Sequence, residues 1–161
     1  IESAISTKTK MIVINNPHNP TGRIWTESDF EALETILEKH PQILILGDEV
    51  YEYITFSQPH ISFNTRPKLV ERTIIASSFG KSLHVTGWKV GYLIAPEHLM
   101  FEMKKVHQFL VFSVNSFSQH AISEYLNVVD FTEVSKMYQR KRDLFQNLIK
   151  DSLFELMLLS I

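Results

Sequence analysis

The sequence predicts an α/β domain built around a mostly parallel β-sheet. Three short apolar runs, at residues 11–15, 43–46 and 73–76, have the length and composition of strands that are buried on both faces. A fourth strand is predicted at residues 88–95. A helical segment follows the first run and helices dominate after the fourth, and strands that alternate with helices are typical of parallel sheets.

The helices are predicted from capping residues and from apolar residues that recur every three or four positions. Thr26 with Asp29 has capping-box spacing, and an apolar stripe follows: Phe30, Leu33, Ile36 and Leu37. A second helix is predicted from a single apolar face: Leu99, Met103, Val106 and Leu110. Ser116 and Asp130 each precede a Gln or Glu by three residues, which predicts the starts of two more helices.

Composition limits the class of protein. The chain has 161 residues, of which 44% are hydrophobic and 21% charged, as in ordinary globular domains. A formal net charge of -2 gives no electrostatic reason to expect a nucleic-acid or membrane partner. Cysteine is absent and the seven histidines show no metal-ligand spacing, so we expect a cytoplasmic enzyme without a metal site. Both ends look cut, and we expect a fragment of a longer chain.

Polar segments directly follow three of the predicted strands. The loop at residues 15–22 contains three asparagines, two prolines and a glycine; residues 48–51 read Asp-Glu-Val-Tyr, and residues 77–81 read Ser-Ser-Phe-Gly-Lys. Ligands of parallel sheets bind beyond the carboxyl ends of the strands. We therefore expect these three segments to converge on one crevice.

Lys81 is the most informative residue in the chain. It stands on a Ser/Gly-rich turn after a β-branched run, where a partly desolvated amine can act as a nucleophile. The hydroxyls and glycines around it, with Lys89 eight residues later, suit a bound phosphate. The turn therefore indicates a lysine that forms a Schiff base with a phosphorylated cofactor.

Pyridoxal 5'-phosphate would use the neighbouring segments as well. Asp48 follows a buried strand and could pair with the pyridine nitrogen, because a protonated pyridine is the stronger electron sink. Tyr51 and Asn19 are suitable partners for the ring oxygen. Ser78 and Lys89 are suitable partners for the phosphate. Each of these residues could instead have an ordinary structural role, as a turn residue, a surface cation or a core aromatic. The lysine turn itself could be a solvated loop.

Three motifs together resemble the class I and II pyridoxal-phosphate aminotransferases of fold type I. They are NPHNPTG at residues 16–22, GDEVY at residues 47–51 and SSFGK at residues 77–81. The longer run FGKSLHVTGWKVGY at residues 79–92 is most similar to the methionine and kynurenine/glutamine aminotransferase branch, as is FSVN at residues 112–115. The resemblance extends to about residue 152.

The resemblance implies a three-layer α/β/α fold and a division of the chain between two domains. Residues 1–129 would belong to the large cofactor-binding domain, and residues 130–161 would form an interdomain helix and the start of a small C-terminal domain. It also implies the site roles given above: Lys81 as the catalytic, cofactor-bonding lysine, Asp48 at the pyridine nitrogen, Tyr51 and Asn19 at the ring oxygen, and Ser78 and Lys89 at the phosphate. Many relatives have arginine at the Lys89 position, and lysine is usual in the branch named.

The resemblance further implies the activity of the parent protein. We expect an aminotransferase that moves an amino group between an amino acid (methionine, aromatic or glutamine-like) and a 2-oxo acid. We expect a homodimer in which residues 112–115 serve the neighbouring subunit. An upstream ring-stacking aromatic and a downstream arginine for the substrate carboxylate lie outside these residues, so the fragment alone is expected to be inactive.

Three alternatives fit the same residues. A cysteine-conjugate C–S β-lyase shares every site residue named above. An aminotransferase-like sensing domain of a transcription regulator would share the fold. A truncated, inactive product would carry the same motifs.

Overall fold

A four-stranded β-sheet forms the centre of the computed structural model, which describes residues 1–153. Its strands are β1 (Met11–Asn15), β2 (Leu44–Asp48), β3 (Thr73–Ser78) and β4 (Gly91–Ile94), and they lie in the order β1-β2-β3-β4. β1, β2 and β3 pair in parallel, and β4 pairs antiparallel with β3. The predicted α/β class with a mostly parallel sheet is therefore confirmed.

Five α-helices accompany the sheet over the described residues. They are α1 (Glu27–Glu38), α2 (Phe79–Ser82), α3 (Glu97–Leu110), α4 (Ser116–Leu126) and α5 (Phe131–Ile149). α2 is a single short turn that follows β3 directly, whereas α3, α4 and α5 succeed one another after β4. Within residues 1–153, no helix has both the length and the apolar character that a membrane crossing needs.

α1 covers one face of the sheet. The Thr26 backbone N–H donates to the Asp29 carboxylate at 2.9 Å, as the predicted capping box requires. The apolar stripe of this helix packs onto the strands and onto Phe63. The shared core is buried: Ile14, Phe30, Leu33, Leu37, Ile43, Ile45, Phe63 and Ile75. Burial of this apolar set is the main force that holds α1 on the sheet.

The opposite face of the sheet carries polar residues at the carboxyl ends of the parallel strands. The register pairs Asn15 with Asp48, and Asp48 with Ala76. Side chains alternate along a strand, and the neighbours Ile14 and Ile75 point into the α1 core. Asn15, Asp48 and Ala76 therefore form a row that faces away from α1.

Two predicted boundaries are wrong. α4 is capped by Asn115, whose side-chain oxygen accepts a backbone N–H of the first turn at 2.9 Å, and not by Ser116. Both residue types are good N-caps, so the pattern alone selects the wrong neighbour. The fourth strand starts at Gly91, three residues later than predicted. The reason is that Thr86–Trp88 forms a 3₁₀ turn and Lys89 adopts a left-handed φ of 57°.

The apolar face predicted for α3 is only partly covered. Leu99 and Met103 are half-buried, whereas Val106 and Leu110 are 57% and 77% exposed. Hydrophobic periodicity reports which face of a helix is apolar. It does not report whether other residues of the structure cover that face. The extent of burial along α3 could therefore not be predicted from the sequence.

Gly47 gives a test of the packing beneath β2. A Cβ atom at this position would lie 2.9 Å from Cδ2 of Phe63, a ring that is 0% exposed and packed against Phe30 and Trp25. We expect Gly47→Ala to lower the free energy of unfolding of the full-length protein by about 1–3 kcal/mol, measured as a lower urea midpoint. Gly87→Ala is the matched control, because nothing lies within 4 Å of its Cβ position. Equal midpoints for the two variants would contradict this packing.

Candidate active site

The loop after β1 is held against the end of β2 by the Asn15 side chain. Its Nδ2 donates to the Asp48 carbonyl oxygen at 3.1 Å, and its Oδ1 accepts the Asn19 N–H at 2.8 Å. The next residue adds a backbone bond, since Asn16 N–H donates to the same Asp48 carbonyl at 3.0 Å. The Asn16–Pro17 and Asn19–Pro20 peptide bonds are cis. These contacts fix the position of Asn19 relative to Asp48.

Tyr51 lies on the turn that follows β2 and meets Asn19 there. Asn19 Nδ2 donates to the Tyr51 hydroxyl oxygen at 2.9 Å, across 32 residues of sequence. The turn is closed by backbone bonds from Glu52 N–H to Glu49 O at 2.9 Å and from Ile54 N–H to Tyr51 O at 2.8 Å. Because the phenolic oxygen accepts from Asn19, its own O–H proton is available to donate to a ligand.

Lys81 belongs to the short helix α2, directly after β3. Ser78 caps this turn, since its Oγ accepts the Gly80 N–H at 3.0 Å. Thr86 Oγ1 donates to the Gly80 carbonyl at 3.0 Å, and a Cβ atom on Gly80 would lie 3.1 Å from the Thr86 Cα. The turn is therefore tight at the residue before Lys81. Lys81 Nζ lies over the Tyr51 ring, 5.9 Å from its centroid.

Asp48 ends β2 and is half-buried. Its Oδ1 accepts the Val50 N–H at 3.3 Å, which orients the carboxylate at the start of the Tyr51 turn. The carboxylate retains further acceptor positions on both oxygens. The structure thus brings Asn19, Tyr51 and Lys81 together and places Asp48 at the strand end beside them.

The predicted phosphate residues are less clearly assembled. Ser78 Oγ donates to the Val90 carbonyl at 3.2 Å in addition to capping α2, so its hydroxyl proton is already used. Lys89 is exposed, in the segment between the 3₁₀ turn and β4. Both residues flank the lysine turn, and their roles at a phosphate remain predictions.

The sequence profile described as "Aminotransferase class I and II" matches residues 1–153. The chain belongs to the class I and II aminotransferase family. Methionine aminotransferase of Escherichia coli K12 is 41% identical over 156 residues, which cover 95% of this chain and 40% of that protein. Kynurenine–oxoglutarate transaminase of Dictyostelium discoideum is 39% identical over 153 residues, 91% of this chain and 35% of that protein.

Solved structures give the same result for the fold. A crystal structure from Escherichia coli, reported with a methionine aminotransferase function, matches with a TM-score of 0.93 at 40% identity, over 99% of this chain and 43% of that one. Aspartate aminotransferase from Thermus thermophilus matches with a TM-score of 0.86 at 26% identity, over 99% and 42%. The predicted aminotransferase fold is confirmed, and the chain spans about 40% of the curated relative of 41% identity.

Class I and II aminotransferases depend on pyridoxal phosphate, and the donor set of this chain fits that cofactor. The cofactor carries a basic ring nitrogen, a ring oxygen and an aldehyde. The structure offers a carboxylate at Asp48, a hydroxyl with an uncommitted proton at Tyr51, and a primary amine at Lys81. Within residues 1–153, no three His, Cys, Asp or Glu side chains are grouped so that they could hold a metal ion.

Two glutamates of the aminotransferase motif GDEVYE are structural features that sequence reasoning did not single out. Glu49 is 2% exposed in its side chain, and its carboxylate accepts His60 Nε2 at 2.9 Å and the Phe63 N–H at 2.8 Å. Glu52 Oε1 accepts two hydroxyls, Ser77 Oγ at 3.0 Å and Tyr92 OH at 2.9 Å. No local pattern singles out these two glutamates, because their partners lie 11 to 40 residues away in sequence.

Tyr92 gives a pH test of this network. Burial, together with the negative charge of Glu52, raises the pKa of Tyr92 from 10.0 to about 12. The raised pKa means that the protonated phenol stabilises the fold fully below pH 10 and that this contribution is lost as the pH rises through about 12. In an alkaline titration followed by phenolate absorbance, we expect Tyr92→Phe to remove a late-ionising component.

Tyr125→Phe is the control for this titration, since Tyr125 is 49% exposed. It should leave the late component in place. A titration curve that Tyr92→Phe leaves unchanged above pH 10 would contradict the assignment.

Proposed function

We propose that the full-length protein is a pyridoxal-phosphate-dependent aminotransferase that moves an amino group between an amino acid and a 2-oxo acid. The observation that carries this proposal is the convergence of three strand-end segments. Asn19 bonds Tyr51 at 2.9 Å, and Lys81 Nζ lies 5.9 Å from the centre of the Tyr51 ring. Family membership supplies the reaction class for this arrangement.

Lys81 would hold the cofactor covalently through Nζ. When bound, the cofactor supplies an electron-poor ring that delocalises the electron pair left on the substrate Cα after its proton is removed. Once released from the cofactor, the Lys81 amine would take up that Cα proton and pass it to the carbon of the cofactor's former aldehyde group, as transamination requires. A lysine on a tight, capped turn suits this role, because the turn limits the positions that Nζ can reach.

Asp48 would bind the ring nitrogen. An anion at this position keeps the nitrogen protonated, and the pairing offsets the cost of partly burying the carboxylate. Tyr51 would donate its hydroxyl proton to the ring oxygen, while Asn19 holds the phenol in place at 2.9 Å. Ser78 would bind the phosphate after its hydroxyl turns from the Val90 carbonyl, and Lys89 would add a positive charge.

The relatives narrow the substrate class. Their names, methionine aminotransferase and kynurenine–oxoglutarate transaminase, favour an apolar, sulfur-containing or aromatic amino donor.

The domain division at residues 129 and 130 is part of the same proposal: α5 begins at Phe131 and would be the interdomain helix. A homodimer is proposed for the full-length protein, with residues 112–115 at the neighbouring subunit.

Lys81→Ala tests the central role of the lysine. In the full-length protein we expect this variant to lose the visible absorbance band that appears when the cofactor aldehyde bonds a lysine. Its turnover should fall by at least about 100-fold, because the general base is removed. Lys68→Ala is the control, since that side chain pairs with Glu38 on the surface at 2.8 Å. Wild-type turnover in Lys81→Ala would overturn the assignment.

Asp48→Asn tests the anion at the ring nitrogen. The amide keeps the size of the side chain and removes its charge, so we expect kcat to fall by about 100-fold or more. The Lys81-dependent absorbance band should persist, because the amine is untouched. Asp143→Asn, a surface change on α5, should leave kcat unaltered. If Asp48→Asn has the same kcat as Asp143→Asn, another group binds the ring nitrogen.

A further inference from the structure

Glu52 lies on the turn that follows β2, one residue after Tyr51. Its Oε1 atom accepts hydrogen bonds from Ser77 Oγ at 3.0 Å and from Tyr92 OH at 2.9 Å. Ser77 is buried, and Tyr92 and Glu52 are half-buried. Two hydroxyls that share one carboxylate oxygen hold that oxygen in a narrow range of positions.

These two donors belong to the strands that support the lysine turn. Ser77 and Tyr92 are paired across β3 and β4. Ser77 immediately precedes Ser78, which caps α2. The Tyr92 ring contacts Phe79, the first residue of α2, with 5.2 Å between ring centroids. The Glu52 carboxylate therefore connects the turn that carries Tyr51 to β3 and β4, the strands that precede and follow the lysine turn.

Backbone pairing between β2 and β3 ends before Glu52 and Ser77. The last paired positions of β2 and β3 are Asp48 and Ala76, followed by a bond from Glu49 N–H to the Ala76 carbonyl at 2.9 Å. Beyond that point β2 leaves the sheet in the turn that carries Tyr51, whereas β3 stays paired with β4 as far as Ser78. Side chains that cross from the turn to β3 and β4 therefore help to set the distance between them.

We propose that Glu52 is a positioning residue that sets the spacing between Tyr51 and Lys81 by binding Ser77 and Tyr92 on one oxygen. This inference rests on the proposed function, because the spacing matters only if both residues hold the cofactor. Tyr92 suits the arrangement, since its phenol is protonated at working pH and donates to Glu52 at 2.9 Å.

Because both hydroxyls bond to one oxygen of Glu52, a substitution can remove the negative charge and keep the hydrogen bonds. Glutamine at position 52 retains a carbonyl oxygen that can accept both hydroxyls, and it removes the negative charge. Alanine at the same position removes both acceptors and leaves two donors of Ser77 and Tyr92 unpaired. If Glu52 acts through geometry, Glu52→Gln should resemble the wild type and Glu52→Ala should not.

The experiment uses the full-length apoprotein titrated with pyridoxal 5'-phosphate. The dissociation constant and the wavelength of the visible band at saturation are compared for wild type, Glu52→Gln, Glu52→Ala and Tyr92→Phe. We expect Glu52→Ala to raise the dissociation constant about tenfold, since two hydrogen bonds are lost, and to shift the band. Tyr92→Phe loses one of the two bonds and should lie between. Glu52→Gln should stay within about twofold of wild type.

A stability control separates positioning from general destabilisation. Leu37→Ala opens a cavity in the α1 core, where the side chain is 1% exposed, and should lower the melting temperature without changing the band or the dissociation constant. If Glu52→Ala fails to fold, the positioning role is tested with Tyr92→Phe alone. A Tyr92→Phe variant with the dissociation constant and band of the wild type then overturns the inference.

The remaining outcomes are distinct. Wild-type cofactor affinity and an unshifted band in folded Glu52→Ala overturn the positioning role and leave the proposed function standing. A Glu52→Gln variant as impaired as Glu52→Ala also overturns it, because the charge and not the geometry would then matter. Absence of any band in the wild type overturns the proposed function, and this inference with it.

Discussion

The parallel register of β1, β2 and β3 is the constraint on which the candidate site depends. It places Asn15, Asp48 and Ala76 side by side, so that three chain segments far apart in sequence leave the sheet at one edge. A slip of one residue in β2 would turn Asp48 into the α1 core and expose the apolar set that now packs there. The buried core on one face therefore fixes which polar groups appear on the other.

Side-chain contacts hold the segments that the register brings together. The Asn15 amide connects the end of β2 to the Asn19 loop, with bonds of 3.1 and 2.8 Å. On the interior side, Glu49 and Glu52 hold the Tyr51 turn through four donors from other parts of the chain. The residues proposed to bind the cofactor, Asp48 and Tyr51, are thus each followed in the chain by a glutamate that bonds to other segments, Glu49 and Glu52.

The sequence predicted that residues at the strand ends converge, which the structure shows for Asn19, Tyr51 and Lys81, but it did not predict the residues that support them. Asp48 and Lys81 could be proposed as site residues because Asp48 ends an apolar strand and Lys81 lies on the turn after another, and strand ends converge in a parallel sheet. Glu52 and Tyr92 bond across 40 residues of sequence, and that contact depends on the β3–β4 register and the path of the turn. Local patterns report neither. The Asn115 cap was missed for a simpler reason, since two adjacent residues are both good caps.

The central claim is that Lys81 is the residue that bonds the cofactor. The most direct measurement is to reduce the full-length protein, loaded with pyridoxal phosphate, with borohydride, and to locate the modified lysine by peptide mass spectrometry. Reduction converts the carbon–nitrogen double bond between cofactor and lysine into a stable single bond, so the label remains on the residue that carried it. We expect the label on Lys81. A label on another lysine, or unlabelled Lys81 in fully loaded protein, would contradict it.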